Sequence, residues 1–400
     1  MKRIQAVLTV VLLSAVVLGF GLTELLRPDE ELSRTERRKL AQAPELSWET
    51  VSSGDYGEDL ETYLSDQFPL RDQLRTAMGA FRTKVLGQKD NNGYFDQDGW
   101  LCKREDPLKP EQVQWATDKI TTLCDTLLEG STVRWAVVPD KSQLSGTEHP
   151  TLDLEALREQ IAASVPEGVE EIPLTDLLEL EDYYRTDTHW RQERIRPVAE
   201  RILEAFGAQA QERDYEAHTL SGFTGVYYGQ AALPAEPEDM VYLTDAVTEN
   251  AVVTSAEVQG TLPVYVLDKF EGLDSYDIFL NGAQAVVTIE NPLAQTDREL
   301  ILFRDSFGSS LAPLLLGGYA KVTLVDLRYL SSQILEQYVD FHPGQDVLFL
   351  YSAPLWNSGT LFRGRRLKCT RSRGLTTAFH TKKRPPRMGR PPFHFWARGH

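Results

Sequence analysis

The chain has 400 residues, of which 42% are hydrophobic and 25% charged, with a formal net charge of −17; that composition suits a folded chain of two domains, or one with decorations, and not a disordered one. The charge is divided: residues 361–400 hold 12 Lys/Arg and no Asp/Glu, leaving 30 basic against 59 acidic residues before them, a net of −29. An acidic body argues against nucleic acid as a partner and suits neutral or cationic ligands.

Residues 4–23 are an uncharged run after Met1-Lys2-Arg3, with only Gln5, Thr9, Ser14 and Thr23 polar. About 20 such residues cross a bilayer as a helix. Lys2 and Arg3 before it, and Asp29-Glu30-Glu31 after it, predict a cytoplasmic N-terminus and an extracytoplasmic body. Residues 1–27 thus read as a membrane anchor, or as a cleaved signal sequence for which Gly19-Phe20-Gly21 is a poor cleavage site. Either way the body is exported, and no second long apolar run follows.

Residues 28–110 read as a tether and an N-terminal helical region. Leu26–Trp48 is polar and lacks apolar periodicity. Leu60, Tyr63, Leu64 and Phe68, then Leu74, Met78, Phe81 and Val85, recur at helical spacing, with Pro69 between the two helices. Asn91–Phe95 and Asp96–Gly99 carry turn chemistry around short strands. Cys102, Cys124 and Cys369 show no metal or redox spacing; Cys102 and Cys124 either pair in an oxidising compartment or stay as thiols.

From residue 111 the pattern alternates. Helices are predicted over 111–129, 153–165, 190–206, 309–316 and 331–339. Strands are predicted over 133–138, 169–173, 300–303, 322–325 and 347–351. This order implies parallel strands with right-handed crossovers, hence a three-layer α/β/α domain over 111–360. Residues 207–298 break the rhythm with turns and short β-like runs and read as a β-rich insertion. The basic segment 361–400, with Pro385-Pro386 and Pro391-Pro392, reads as a disordered appendage, a read-through end, or a polybasic envelope-binding tail.

Four histidines precede the tail: His149, His189, His218 and His342. His149 and His342 precede prolines and look like loop residues, and His218 lies in the irregular segment. His189 follows Asp187 by two residues in a loop before a helix. Asp187 can accept from one ring nitrogen and fix the tautomer; an N-cap cluster is the equal alternative. Ile301–Ser310 is a buried strand ending in Asp305-Ser306, followed by small residues that open a helix. A serine there is exposed at the carboxyl edge of the sheet, with helix N–H groups beside it, a nucleophile with part of an oxyanion hole. An ordinary helix cap is the competing reading. Tyr184 and Trp190 are candidates to stack on a sugar ring, with core packing as the alternative. Arg328 either points into the site or pairs with an acid. Lys141 follows a strand end, where α/β sheets place ligands, and Asn357 is a weaker candidate beyond the last strand.

Several stretches together resemble the DHHW family, related to the alginate O-acetylation proteins of the SGNH-hydrolase-like group. They are Tyr-Tyr-Arg-Thr-Asp-Thr-His-Trp at 183–190, Val-Pro-Asp-Lys at 138–141, Tyr-Asp-Ile-Phe-Leu-Asn-Gly at 276–282, Arg-Asp-Ser-Phe at 304–307, Asp-Leu-Arg-Tyr at 326–329 and Asp-Gln-Phe-Pro-Leu-Arg at 66–71. The resemblance spans roughly residues 35–358 and implies an SGNH-like domain. It makes Asp187, His189 and Ser306 the catalytic triad; their order along the chain implies a permuted topology. The implied activity is an extracytoplasmic serine O-acetyltransferase or acetylesterase on a cell-envelope or exported polysaccharide, with no cofactor or metal. A membrane acyl-donor protein is a further candidate partner. The alternative is a non-catalytic carbohydrate-binding or assembly protein of the envelope. One departure is visible: Thr188 stands where the family's name motif has its first histidine.

Overall fold

The computed structural model describes residues 2–358, apart from the side chains of Lys2 and Leu25. The basic segment 361–400 and Cys369 lie outside the described residues. Lys2–Leu26 is one continuous helix. Its span Arg3–Glu24 has mean hydropathy 2.4 and none of it is buried, so by length and composition it suffices to cross a membrane.

An eight-stranded sheet forms the centre of the body. Its strands are β1 (Thr132–Val138), β2 (Glu170–Glu171), β3 (Val252–Ser255), β4 (Thr261–Leu262), β5 (Val286–Glu290), β6 (Glu299–Arg304), β7 (Lys321–Val325) and β8 (Asp346–Ser352). The spatial order is β4-β3-β5-β7-β6-β8-β1-β2. Strands β7, β6, β8, β1 and β2 run parallel, whereas β5, β3 and β4 add on antiparallel. The β-rich 207–298 segment contributes to the main sheet: three of its short strands complete one edge. Only the hairpin Glu216–Phe223/Glu238–Thr244 stands apart from that sheet.

Side chains alternate across the central strands, as the two-residue strand period requires. Val133, Trp135, Val137, Ile301, Phe303, Val347 and Phe349 enter one core; they pack with residues of the helices Pro110–Thr126 and Leu154–Ser164. Ala136, Val138, Leu300, Leu302, Leu348 and Leu350 enter the other, with residues of the helices Arg196–Ala205 and Phe307–Leu315. Central strands buried on both faces read as continuous apolar runs. This is the three-layer α/β/α architecture with a mainly parallel sheet.

Local boundaries differ from the periodicity. The 190–206 helix begins only at Arg196, after a 3-10 turn at Gln192–Arg194. The 331–339 segment is a 3-10 turn, Ser332–Gln337, and the 169–173 strand shrinks to two residues. Strands Tyr94–Gln97 and Trp100–Lys103 form a hairpin. Its two-residue loop, Asp98-Gly99, has positive φ at both positions, the backbone such a turn needs. Cys102 and Cys124 are both free thiols.

Residues 28–47 depart most from expectation, for they are not a loose tether. Leu32–Ser33 pairs with Arg38–Lys39. Glu36 bridges Arg71 at 2.8 Å and Arg75 at 2.6 Å, and Arg38 pairs with Asp66. Polar residues without apolar periodicity are fixed here by ion pairs to helices Asp55–Asp66 and Arg71–Ala80.

Candidate active site

Strand β6 delivers Ser306. After Arg304 the chain turns at Asp305, whose carboxylate accepts the Phe307 N–H at 3.1 Å and the Ser352 N–H at 2.9 Å. The turn is thereby tied to the end of neighbouring strand β8. Ser306 itself caps the helix Phe307–Leu315 with φ −60° and ψ −23° and makes no side-chain cap bond, which leaves its hydroxyl available. The Gly308 N–H is taken by the Asp305 carbonyl at 3.1 Å. The Ser309 N–H goes to the Ser306 carbonyl at 3.1 Å, so the first three amides of the helix are committed and the expected row of free N–H groups is not found there.

The loop between Tyr183 and Trp190 delivers the other two residues. Its ends are joined by a β-bridge, and the Tyr184 N–H donates to the His189 carbonyl at 3.0 Å. Asp187 Oδ1 accepts from the His189 backbone N–H at 3.0 Å and lies 2.5 Å from the His189 Nδ1. On the opposite side of the ring, His189 Nε2 lies 2.7 Å from Ser306 Oγ. Asp187 is fully buried and His189 almost so, while Ser306 is partly exposed. Of the three, only the serine is well placed to meet solvent.

The electrostatics fit this order. Burial alone would raise the Asp187 carboxyl, but the His189 ring, Arg37 and the Val226 N–H more than offset it and hold the group well below the usual carboxylate range. Asp187 therefore stays ionised, able to orient the imidazole and to stabilise its protonated form. The His189 ring stacks on Tyr276, centroids 3.7 Å apart and 5° from parallel. Tyr276 in turn donates to Ser310 Oγ at 2.7 Å.

The other candidates are held by partners within the protein. Lys141 is fully buried, and its Nζ donates to the carbonyls of Tyr184, Arg185 and Asp187 at 2.9, 2.9 and 2.7 Å. All three ammonium protons are used within the protein. Tyr184 and Trp190 are 0% exposed. The Trp190 indole N–H donates to Ser310 Oγ at 2.9 Å and its ring meets Phe307 edge-on, so neither aromatic offers a face to a sugar. Arg328 is clamped on Asp326 at 2.6 Å, the acid-pairing alternative. Asn357 is buried and receives the Lys109 N–H at 2.6 Å.

Several residues at the site escaped the sequence reading. Arg37 reaches Asp187 Oδ2 at 3.5 Å. Glu238 accepts from the Thr186 N–H and hydroxyl at 3.0 and 3.1 Å. Gly225 approaches so closely that a Cβ there would lie 2.2 Å from the Asp187 Cβ. Its N–H donates to Thr186 Oγ1 at 2.8 Å. A lone glycine and a distant arginine carry no local signal that could have marked them. Among the described residues, no cluster of His, Cys, Asp and Glu has metal-binding geometry.

Fold and site together define a three-layer α/β/α protein with a serine–histidine–aspartate constellation. The family model described as DHHW protein matches residues 178–325, a stretch that contains Asp187, His189 and Ser306, so the resemblance carried by the motifs holds. Among solved structures, a DHHW family protein from Eubacterium siraeum superposes with TM-score 0.57 at 20% identity, covering 68% of this chain and 95% of that one. PatB1 of Bacillus cereus superposes with TM-score 0.54 at 17% identity, covering 67% and 98%; a second structure of PatB1 carries a sulfonyl adduct. A weaker likeness, TM-score 0.42 at 16% identity, covers 66% of this chain and 92% of the O-acetyltransferase domain of Pseudomonas putida AlgJ. No curated protein matches the chain.

Proposed function

We propose that the protein is a serine O-acetyltransferase or acetylesterase of the cell envelope, with Ser306 as nucleophile, His189 as general base and Asp187 as its orienting carboxylate. One observation carries this reading: a partly exposed serine bonded to a histidine whose other nitrogen faces a buried, ionised carboxylate. In the first half-reaction His189 removes the Ser306 proton as Oγ attacks the acyl carbonyl, then returns it to the leaving oxygen. The acyl-enzyme is released when a sugar hydroxyl or water attacks, His189 again taking the proton. The motif resemblance to alginate O-acetylation proteins supports a polysaccharide hydroxyl as acceptor.

The test is turnover of a chromogenic acetyl ester by wild type beside Ser306→Ala, with labelling by a sulfonyl fluoride as a second measure of serine activation. Serine-dependent turnover is expected. Glycan binding with neither turnover nor labelling would instead mean a carbohydrate-binding protein that keeps the fold.

The apolar helix and its charge flanks support a membrane anchor with the body outside. A cysteine placed at Ser52 should react with a membrane-impermeant reagent in intact cells. Reaction only after lysis would reject that orientation.

A further inference from the structure

We infer that Arg37, carried by the N-terminal hairpin, is the positioning residue that holds Asp187 against His189, which makes the segment joining the apolar helix to the body a working part of the active site. This rests on the triad reading above and extends it to a residue 150 positions from Asp187 in sequence.

The geometry is that of a built contact. Arg37 has φ 54°, a left-handed backbone that costs a non-glycine residue on the order of 1 kcal/mol or more. Its side chain is only 11% exposed: Nη2 donates to the Thr224 carbonyl at 3.3 Å and to Asp187 Oδ2 at 3.5 Å, and Nη1 lies 2.6 Å from Asp274 Oδ2 as an ion pair without hydrogen-bond alignment. The hairpin that presents it is held independently. Glu36 is gripped by Arg71 and Arg75, and the Thr35 carbonyl sits so close to Gly229 that a Cβ there would lie at 1.7 Å. The strained residue is therefore set by its neighbours and aimed inward.

The charges explain why a cation is needed at this place. Asp187 is buried and Asp274 is half-buried beside it; the Asp187 charge raises the Asp274 carboxyl, and Arg37 lies between the two. The remaining charged groups facing them are His189, Lys141, Glu238 and Asp277. Lys141 cannot substitute, because its donors are spent on the loop carbonyls. Without Arg37, the Asp187 carboxylate keeps contact only with His189 and backbone amides, with Lys141 acting from a distance, and Asp274 repels it. The dyad then binds a proton more readily, and the carboxylate is free to turn away from the ring.

The experiment compares full-length Arg37→Ala, Arg37→Lys and Arg38→Ala in detergent. Arg38 fastens the same hairpin to Asp66 without touching the triad, so it reports loosening of the hairpin alone. Two readouts are taken: the pH profile of acetyl-ester turnover, and the far-downfield proton resonance of the His189 Nδ1–H bonded to Asp187. Arg37→Ala should lower turnover roughly 10- to 100-fold, as loss of an outer-shell orienting partner does. Its acid limb should move to higher pH and its downfield resonance should weaken. Arg37→Lys should recover part of both, and Arg38→Ala should leave limb and resonance in place. Unchanged limb and resonance in Arg37→Ala overturn the inference, and so does an equal effect of Arg38→Ala. A wild type with no downfield resonance at any pH overturns it as well. If wild type shows no turnover yet Arg37→Ala alone loses the resonance, the catalytic reading fails and the positioning role stands.

Discussion

His189 Nε2 and Ser306 Oγ lie 2.7 Å apart although 117 residues separate them in the chain. The distance falls within direct proton-transfer range, about 2.6–3.2 Å. If the pair works as one unit with Asp187, Ser306→Ala and His189→Ala should each reduce ester turnover by roughly a thousandfold or more, and the double variant should lose little beyond that. Additive losses in the double-mutant kinetics would contradict a shared step. Thr188→Ala should stay within a few-fold of wild type, since Thr188 Oγ1 only accepts from the Tyr227 hydroxyl at 3.0 Å.

Gly225 offers a test of how tightly Asp187 is held. A Cβ there would lie 2.2 Å from the Asp187 Cβ and 2.4 Å from its Cα, so Gly225→Ala must displace the loop. Overpacking of this kind costs about 1–3 kcal/mol, and a shift of about 1 Å at a catalytic group costs on the order of a hundredfold in rate. Turnover should therefore fall far more than the melting temperature. A variant with normal kinetics would mean that the loop moves without moving Asp187.

Lys141 sets two effects against each other. Burial disfavours its charge and pushes its pKa down, so removing the charge relieves some desolvation. Removing it also strands three carbonyls, at about 1–3 kcal/mol each when buried and unsatisfied. The carbonyls should win: Lys141→Met should lose about 3 kcal/mol in urea denaturation, and activity should fall with the disordered loop. An equally stable variant would show that water replaces the ammonium.

Asp277 makes stability depend on pH in a definite sense. Burial first, and then Asp274, push its carboxyl up to about 6. The folded state thus favours the protonated form. The contribution is fully present below the ordinary carboxylate value near 4 and is lost as pH rises through about 6. Its limit is about 3 kcal/mol, from 1.36 kcal/mol per unit. Asp277→Asn should therefore show a smaller drop in melting temperature between pH 4 and pH 8 than wild type. An identical drop would mean that the carboxyl keeps its ordinary value in the folded protein.

Much of the scaffold was legible locally. Runs such as 133–138 and 347–351 read as strands from their composition and length, and both are strands of the central sheet. Asp187 and His189 stand two apart and Ser306 follows a strand end, but spacing alone left helix-cap readings open for both places, and only the resemblance to the DHHW family joined the three as a triad. Boundaries failed where a proline resets the helix start, as at Arg196-Pro197 after the 3-10 turn Gln192–Arg194.

What the tertiary structure decided was convergence and role. Tyr184, Trp190 and Lys141 have the residue types of a sugar site, yet packing turns all three inward, because covering the loop from 183 to 190 requires two large aromatics and a triple donor. The 207–298 segment lacked the helix–strand rhythm because its strands join the sheet antiparallel, without crossover helices. Arg37 was invisible for a different reason. Ion pairing between distant segments leaves no period in the sequence, so only the folded chain can bring a polar hairpin against the carboxylate that orients the histidine.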